Sequence, residues 1–153
     1  VAGGGRDLPP ARQLYLAGCP TLTRMPERSA DWMEQARRDL LMAEQAMTSG
    51  FFEWACFIAQ QSAEKALKAV YQKRGAVAWG HSVTDLLQGL FKGSSPPQDM
   101  QKEGRSLDRW YVQARYPDGF PTGKPGDYID SEDASNAIRS AGRIIQFLIG
   151  LLA

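Results

Sequence analysis

The sequence predicts an all-α protein, an up-and-down helical bundle of about five helices. In several long segments, apolar residues recur at intervals of three and four, the spacing of one helix face. Residues that end helices follow three of these segments, at Gly50, Gly75 and Pro117. No segment shows the alternation of apolar and polar residues that is typical of a half-buried strand.

Length and composition describe an ordinary globular domain. The chain has 153 residues, 43% of them hydrophobic and 23% charged, which is enough to bury a core in one domain. A net charge of +1 argues against a broad nucleic-acid surface but allows a local basic patch. The C-terminal apolar run is about half as long as a membrane span, so we expect no membrane association.

The cysteines favour a reducing compartment. Cys19 and Cys56 lie far apart in unlike contexts, and Cys56 falls on an apolar helix face, where a thiol acts as a small hydrophobe. Neither a disulfide framework nor a metal-ligand cluster is indicated, and no phosphate loop of the Walker type occurs. We therefore expect a cytoplasmic protein without a metal or cofactor.

The first 28 residues differ from the rest of the chain. Residues 1–28 carry glycine and proline clusters and no helical period, so they are interpreted as a flexible N-terminal extension. Met25 directly precedes the first helical pattern, which suggests that the native protein begins there and that the earlier residues are not native. A genuine disordered tail is the alternative. The helical domain is expected over residues 29–153.

The predicted helix from Phe51 to Gly75 is the centre of the bundle. It contains no proline and is rich in alanine, and small residues allow neighbouring helices to approach closely. Its buried face is predicted to comprise Phe52, Ala55, Cys56, Ala59, Ala63, Ala66, Leu67 and Val70. A polar stripe on the opposite side is predicted to comprise Gln61, Glu64, Lys65 and Lys68.

Four further helices are predicted around it. The first runs from Ser29 to Ser49 and forms an αα-hairpin with the central helix. Ser82 is predicted to cap a short third helix, with His81 just before the cap. The fourth runs from about Pro97 to Tyr116, because Pro117 disfavours helical torsion angles in the residue before it. The fifth runs from about Ser131 to the end of the chain.

Several motifs in this order resemble the HEPN family. They are Trp32–Ala43 (W..QA..DL..A), Phe51–Ala69 (F..W.CF.AQQSAEKALKA), His81–Leu87 (HSVTDLL) and Tyr111–Asp118 (YVQARYPD). The resemblance covers about residues 29–150. The sequence also resembles the C-terminal domain of sacsin, which is included in the same family. It implies a helical bundle that forms a homodimer. It also implies a nucleotide or RNA as ligand and a minimal nucleotidyltransferase as partner, in a toxin–antitoxin-like pair.

A large subset of the family consists of metal-independent ribonucleases, which carry an arginine, four to six residues and then a histidine. Arg74 and His81, the only histidine, have this spacing, and an imidazole can move a proton while a guanidinium holds a phosphate oxygen. In those ribonucleases the motif lies later in the bundle. Here the later Arg115 is followed by Tyr116, Pro117 and Asp118 rather than by a histidine. A helix-entry or packing role for His81 is the alternative.

The candidate nucleotide-binding residues are Lys65, Lys68, Tyr111, Arg115 and Tyr116. The two lysines lie on a largely buried helix, where a phosphate-binding groove is one interpretation and local ion pairing is the other. Arg115 is predicted to face the same pocket as Lys68 and His81, or else to cap the end of its helix. Trp54, Trp79 and Trp110 are interpreted as core or dimer-surface aromatics.

Three functions are compatible with these residues. The first is a nucleotide- or RNA-associated module paired with a nucleotidyltransferase. The second is a metal-independent ribonuclease toxin that uses Arg74 and His81. The third is an adaptor without catalytic activity that serves only in dimerisation or docking. A ribonuclease requires His81, a binding module requires chiefly the positive groups, and an adaptor requires neither.

Overall fold

The computed structural model describes residues 26–153, so Met25 and nearly all of the predicted extension lie outside the described residues. This part of the chain contains α-helices and two short 3-10 helices but no strand, which confirms the predicted all-α bundle. The α-helices are α1 (Ser29–Thr48), α2 (Phe52–Lys73), α3 (Val83–Leu90), α4 (Gln98–Asp108), α5 (Trp110–Gln113) and α6 (Ser131–Leu152). The 3-10 helices are Pro117–Gly119 and Pro125–Asp127.

Helix α2 is central, as predicted. It packs against each of the other five helices, most extensively against α1 and α6. On the predicted apolar face, Phe52 is partly exposed, and the remaining seven positions are buried. Because four of those seven are alanines, the neighbouring helices can approach the α2 backbone closely.

Glycines end α1 and α2 at the predicted positions. Gly50 has φ 82° and Gly75 has φ 65°, a left-handed conformation that glycine adopts without the steric cost of a Cβ atom. After Gly50, the Phe51 amide donates to the Ala46 carbonyl, and after Gly75 the Ala76 amide donates to the Tyr71 carbonyl. These bonds satisfy carbonyl groups at the helix ends and turn the chain.

The predicted fourth helix is interrupted, and it ends earlier than expected. Arg109 separates α4 from α5 although its torsion angles are helical, with φ −59° and ψ −29°. The last regular residue is Gln113, because the Arg115 amide bonds the carbonyl of Val112, three residues back, in a tightened turn. Tyr116 is extended at φ −124° and ψ 133°, the conformation that the following proline favours.

Helix α3 begins with two sets of hydrogen bonds. Ser82 caps it as predicted, since its hydroxyl accepts a bond from the Asp85 amide. The Asp108 carboxylate, at the end of α4, accepts bonds from the Val83 and Thr84 amides at 2.6 and 3.1 Å and from the Ser82 hydroxyl at 2.9 Å. The positive end of the helix dipole also stabilises a carboxylate at this position. Asp108 therefore fixes the start of α3, next to His81.

Of the predicted core or dimer-surface aromatics and the predicted buried thiol, some lie in the core and others at the surface. Trp110 is buried, whereas Trp54 is 47% exposed and Trp79 is 85% exposed. Cys56 is free and buried, as expected, and burial raises the pKa of its thiol to about 12.

None of the helices within residues 26–153 combines the length and apolarity that crossing a membrane requires.

Candidate functional site

Candidate residues from three segments meet on one side of α2. Lys68 is on α2, His81 precedes α3, and Tyr111 and Arg115 belong to α5 and the turn after it. Lys68 and His81 contact Glu64, which is also on α2, while Tyr111 stacks on His81 and lies beneath Arg115. These five residues are called the His81–Arg115 cluster below.

Glu64 is the most buried member of the cluster. Its residue is only 4% exposed, although the polar-stripe prediction placed it on the outer side of α2. That prediction is wrong for Glu64 because the segment before α3 folds over this part of α2. One carboxylate oxygen, Oε1, lies 2.8 Å from Lys68 Nζ and 3.1 Å from His81 Nδ1. The buried carboxylate therefore faces the positive Lys68 ammonium and the His81 imidazole, which is positive when protonated.

His81 is held both through its backbone and through its ring. The Gln60 side-chain amide, fully buried in α2, donates to the His81 carbonyl oxygen at 2.8 Å. The imidazole stacks on the Tyr111 ring with a centroid distance of 4.8 Å and an interplanar angle of 14°. Because 54% of the side chain remains exposed, the ring is accessible to a ligand while its orientation is constrained.

Arg115 lies against three aromatic rings. Its guanidinium carbon is 4.5 Å from the Tyr111 centroid, 4.6 Å from that of Phe57 and 4.9 Å from that of Tyr116. Its Nε donates to the Tyr111 carbonyl, in accordance with the capping role considered for it. Cation–π contacts hold a guanidinium in place without neutralising its charge. No carboxylate in residues 26–153 forms an ion pair with Arg115.

Two candidate residues make their contacts elsewhere. Lys65 forms an ion pair with Asp39 of α1 instead of joining Lys68. The Arg74 guanidinium donates to the Leu90 carbonyl at the end of α3, at 2.8 Å. Ten residues separate Arg74 from Glu64 along α2, or roughly 15 Å at the α-helical rise. Within one protomer, then, His81 contacts Tyr111 and Glu64, while Arg74 contacts the far end of α3.

Sequence reasoning did not single out Gln60, and it gave Glu64 only a place beside the lysines. Gln60, Glu64 and Lys68 are spaced at four-residue intervals and therefore lie along one face of α2. That spacing was a usable signal for three polar groups on one line. It did not reveal that the chain before α3 covers the first two, because this contact joins residues 21 positions apart.

The cluster can bind an anion and exchange a proton. Arg115 supplies a fixed positive charge, and an imidazole can act as donor or acceptor of a proton near neutral pH. Within residues 26–153 no group of three or more histidine, cysteine, aspartate or glutamate side chains could hold a metal ion.

A family model described as the HEPN domain matches residues 29–151. The chain belongs to the HEPN family. This membership confirms the resemblance inferred from the sequence motifs. A comparison with curated proteins gave no match.

Three similar solved structures support the assignment. A protein of Thermus thermophilus is 40% identical, with a TM-score of 0.78, over 82% of this chain and 98% of that one. An archaeal HEPN homologue is 38% identical, with a TM-score of 0.72, over 84% and 100%. A HEPN domain protein of Thermotoga maritima is 37% identical, with a TM-score of 0.64, over 80% and 97%.

Proposed function

We propose that this HEPN protein is a nucleotide- or RNA-associated module that binds a phosphate group at the His81–Arg115 cluster. The observation that carries the proposal is the placement of Arg115. Its guanidinium lies on three aromatic rings, and none of the described carboxylates pairs with it. A guanidinium held in this way offers paired N–H donors that match a phosphate in geometry and charge.

The surroundings of Arg115 suit the rest of a nucleotide. Tyr116 is 49% exposed and His81 is more than half exposed, so their rings are accessible for stacking with a base. Lys68 contributes less to anion binding, because the Glu64 carboxylate already neutralises much of its charge. Arg115 should therefore account for most of the electrostatic affinity of the site.

We further propose a homodimer and, from the family resemblance, a cytoplasmic pair with a minimal nucleotidyltransferase. An apolar groove of about 410 Å³, lined by residues that include Met42, Phe51, Trp54 and Ile58, supports a protein interface. The Trp54 ring also contacts the Phe57 ring edge-on, with 6.1 Å between the ring centroids. Because Phe57 lies beneath the Arg115 guanidinium, this contact connects the groove to the His81–Arg115 cluster. Light scattering of the protein alone and of its mixture with the product of a neighbouring nucleotidyltransferase gene would test both assemblies.

The binding test compares two arginine substitutions. We expect Arg115→Ala to weaken binding of ATP and of a labelled RNA oligonucleotide at least about tenfold, since hydrogen bonds to a charged group contribute roughly 1.5–3 kcal/mol. Arg139→Ala removes the same charge from an exposed position of α6, where Asn136 is the one hydrogen-bond partner of the side chain among residues 26–153, and should leave affinity within about twofold. Calorimetry for ATP and fluorescence anisotropy for RNA, both without metal, provide the dissociation constants.

Two results would contradict the proposal. One is equal affinity in Arg115→Ala and wild type, which would place the ligand elsewhere. The other is the absence of saturable binding to the folded wild type, which would favour the adaptor. Circular dichroism of each variant confirms that the comparison is made between folded proteins.

A metal-independent ribonuclease is the second candidate, and the contact between His81 and Glu64 is the observation that favours it. A carboxylate beside an imidazole is an arrangement that supports acid–base chemistry. Cleavage of labelled tRNA in the presence of a chelator, by wild type, His81→Ala and Arg74→Ala, tests it. Activity lost in both variants would establish a ribonuclease using both residues, whereas equal activity in all three would indicate a contaminant.

A further inference from the structure

We infer that Glu64 is a positioning residue that orients the His81 ring so that its neutral form carries the proton on Nδ1 and presents Nε2 as an acceptor toward the ligand. The inference deepens the proposed function and rests on it for the identity of that ligand. The arrangement of the ring itself follows from contacts within the chain, so it can be tested without any ligand.

The Glu64 carboxylate is surrounded by donors. Lys68 and His81 face Oε1, while the side-chain amides of Gln61 and Gln60 face Oε2 at 3.0 and 3.4 Å. A carboxylate can accept about four hydrogen bonds, two at each oxygen. The number of neighbouring donors thus matches the capacity of this buried group, and burial of an ionised carboxylate requires such pairing.

The state of the imidazole follows from this environment. An ionised carboxylate has no proton to donate, so the short contact with His81 Nδ1 requires a proton on that nitrogen. In a neutral ring Nε2 then carries the lone pair. No described residue forms a hydrogen bond with Nε2, and the side chain is half exposed. The free nitrogen is therefore available to a ligand.

Other contacts hold the backbone and the plane of the ring, and the Glu64 contact then selects the orientation in which Nδ1 faces the carboxylate. Gln60 fixes the His81 carbonyl from one side of the loop, and the Tyr111 ring covers one face of the imidazole. Arg115 contacts the same tyrosine ring, so the acceptor and the positive charge share one support. A ligand bound here would meet a cation for its phosphate and an acceptor for a hydroxyl or amino group. A ribonucleotide carries both kinds of group.

The direct test is the tautomer of His81. Because the chain contains a single histidine, one imidazole spin system appears in long-range ¹H–¹⁵N correlation spectra. We expect the wild type, once titration shows the ring to be neutral, to carry its proton on Nδ1. In Glu64→Ala the acceptor is missing, and the proton should move toward Nε2, the position that neutral histidine favours in water.

Glu103→Ala is the matched control. Glu103 is also a partly buried glutamate that bonds a cation and a second side chain, here Arg143 and Ser140 between α4 and α6. Its loss should lower stability without changing the imidazole spectrum, so a general weakening of the fold can be distinguished from a local effect. A neutral wild-type ring protonated on Nε2 would refute the inference even if Glu64→Ala failed to fold. An unchanged spectrum in folded Glu64→Ala would refute it too.

Ligand binding then separates this inference from the proposed function. With the same RNA oligonucleotide as probe, the comparison is made in a Lys68→Ala background, because loss of Glu64 would otherwise also free the Lys68 charge for the RNA. In that background we expect Glu64→Ala to lower affinity at least threefold and Glu103→Ala to leave it unchanged. If the tautomer is as expected but no wild-type binding occurs, the proposed function fails while the positioning of the ring holds. If RNA binds and Arg115→Ala abolishes binding, but the wild-type proton lies on Nε2, the positioning role fails alone.

Discussion

Removal of the Asp108 carboxylate should destabilise the protein more than its partly exposed position suggests. Asp108 bonds two first-turn amides of α3 and the Ser82 hydroxyl. Val83 is fully buried, so water cannot readily replace the bond to its amide. The bond to Thr84 and that to Ser82 lie at partly exposed residues, where water can compensate in part.

The expected loss of unfolding free energy in Asp108→Ala follows from these contacts. Loss of an ordinary N-cap costs about 0.5–2 kcal/mol. A hydrogen bond to a charged group contributes about 1.5–3 kcal/mol, but such contributions are not additive within one network. With one bond fully protected from water and two partly replaced, we expect a loss of about 2–4 kcal/mol. Asp108→Asn keeps one acceptor oxygen and should fall between this variant and the wild type.

Urea unfolding followed by circular dichroism provides the free energy and its denaturant dependence. Asp118→Ala is the control, since the Asp118 side chain is exposed and forms no hydrogen bond with residues 26–153. This variant should change the free energy of unfolding by no more than about 0.5 kcal/mol. A loss below about 1 kcal/mol for Asp108→Ala, at an unchanged denaturant dependence, would refute the reasoning. It would mean that the Ser82 cap alone is sufficient to start α3.

The same unfolding assay tests two further predictions. Gly50→Ala should lower the free energy of unfolding by about 1–2 kcal/mol, because φ is +82° there. Gly150→Ala, in a helix with open space around it, should raise that free energy by about 0.5–1 kcal/mol. If both variants changed it in the same direction, the assignment of Gly50 as a left-handed cap would be contradicted. Burial raises the pKa of Cys56 from 9.0 to about 12, so the unfolded chain loses this proton first as pH rises. Stability should therefore fall between pH 9 and 12, by up to about 1.4 kcal/mol per pH unit for this group. Burial also raises the pKa of Tyr71, so the measurement is the difference between wild type and Cys56→Ala, and identical pH profiles would contradict it.

The helices were predictable because their signals are local. Apolar spacing identified α1, α2 and α6, and the glycines after α1 and α2 have the backbone conformation that helix termination requires. The fourth predicted helix was less accurate. Pro117 correctly indicated an extended Tyr116, but no local signal marked the interruption at Arg109, whose own torsion angles are helical.

The site was only partly predictable. Tyr111, Arg115 and His81 were candidates from the sequence, and the structure brings them together. Lys65 and Lys68 were treated as a pair, yet they turn to different acids, Asp39 and Glu64. Residues three positions apart share a helix face only approximately, so the neighbouring segments decide which partner each side chain meets.

The sequence by itself determined the all-α bundle, the central place of α2 and membership of the HEPN family, since periodicity, helix ends and motif order are properties of the linear chain. Only the tertiary structure decided that Glu64 is buried beneath His81 and that Arg115 rests on aromatic rings rather than on a carboxylate. Burial and pairing of polar groups depend on which distant segment covers them. Contacts across 17 residues, as between Glu64 and His81, are not encoded in any local pattern.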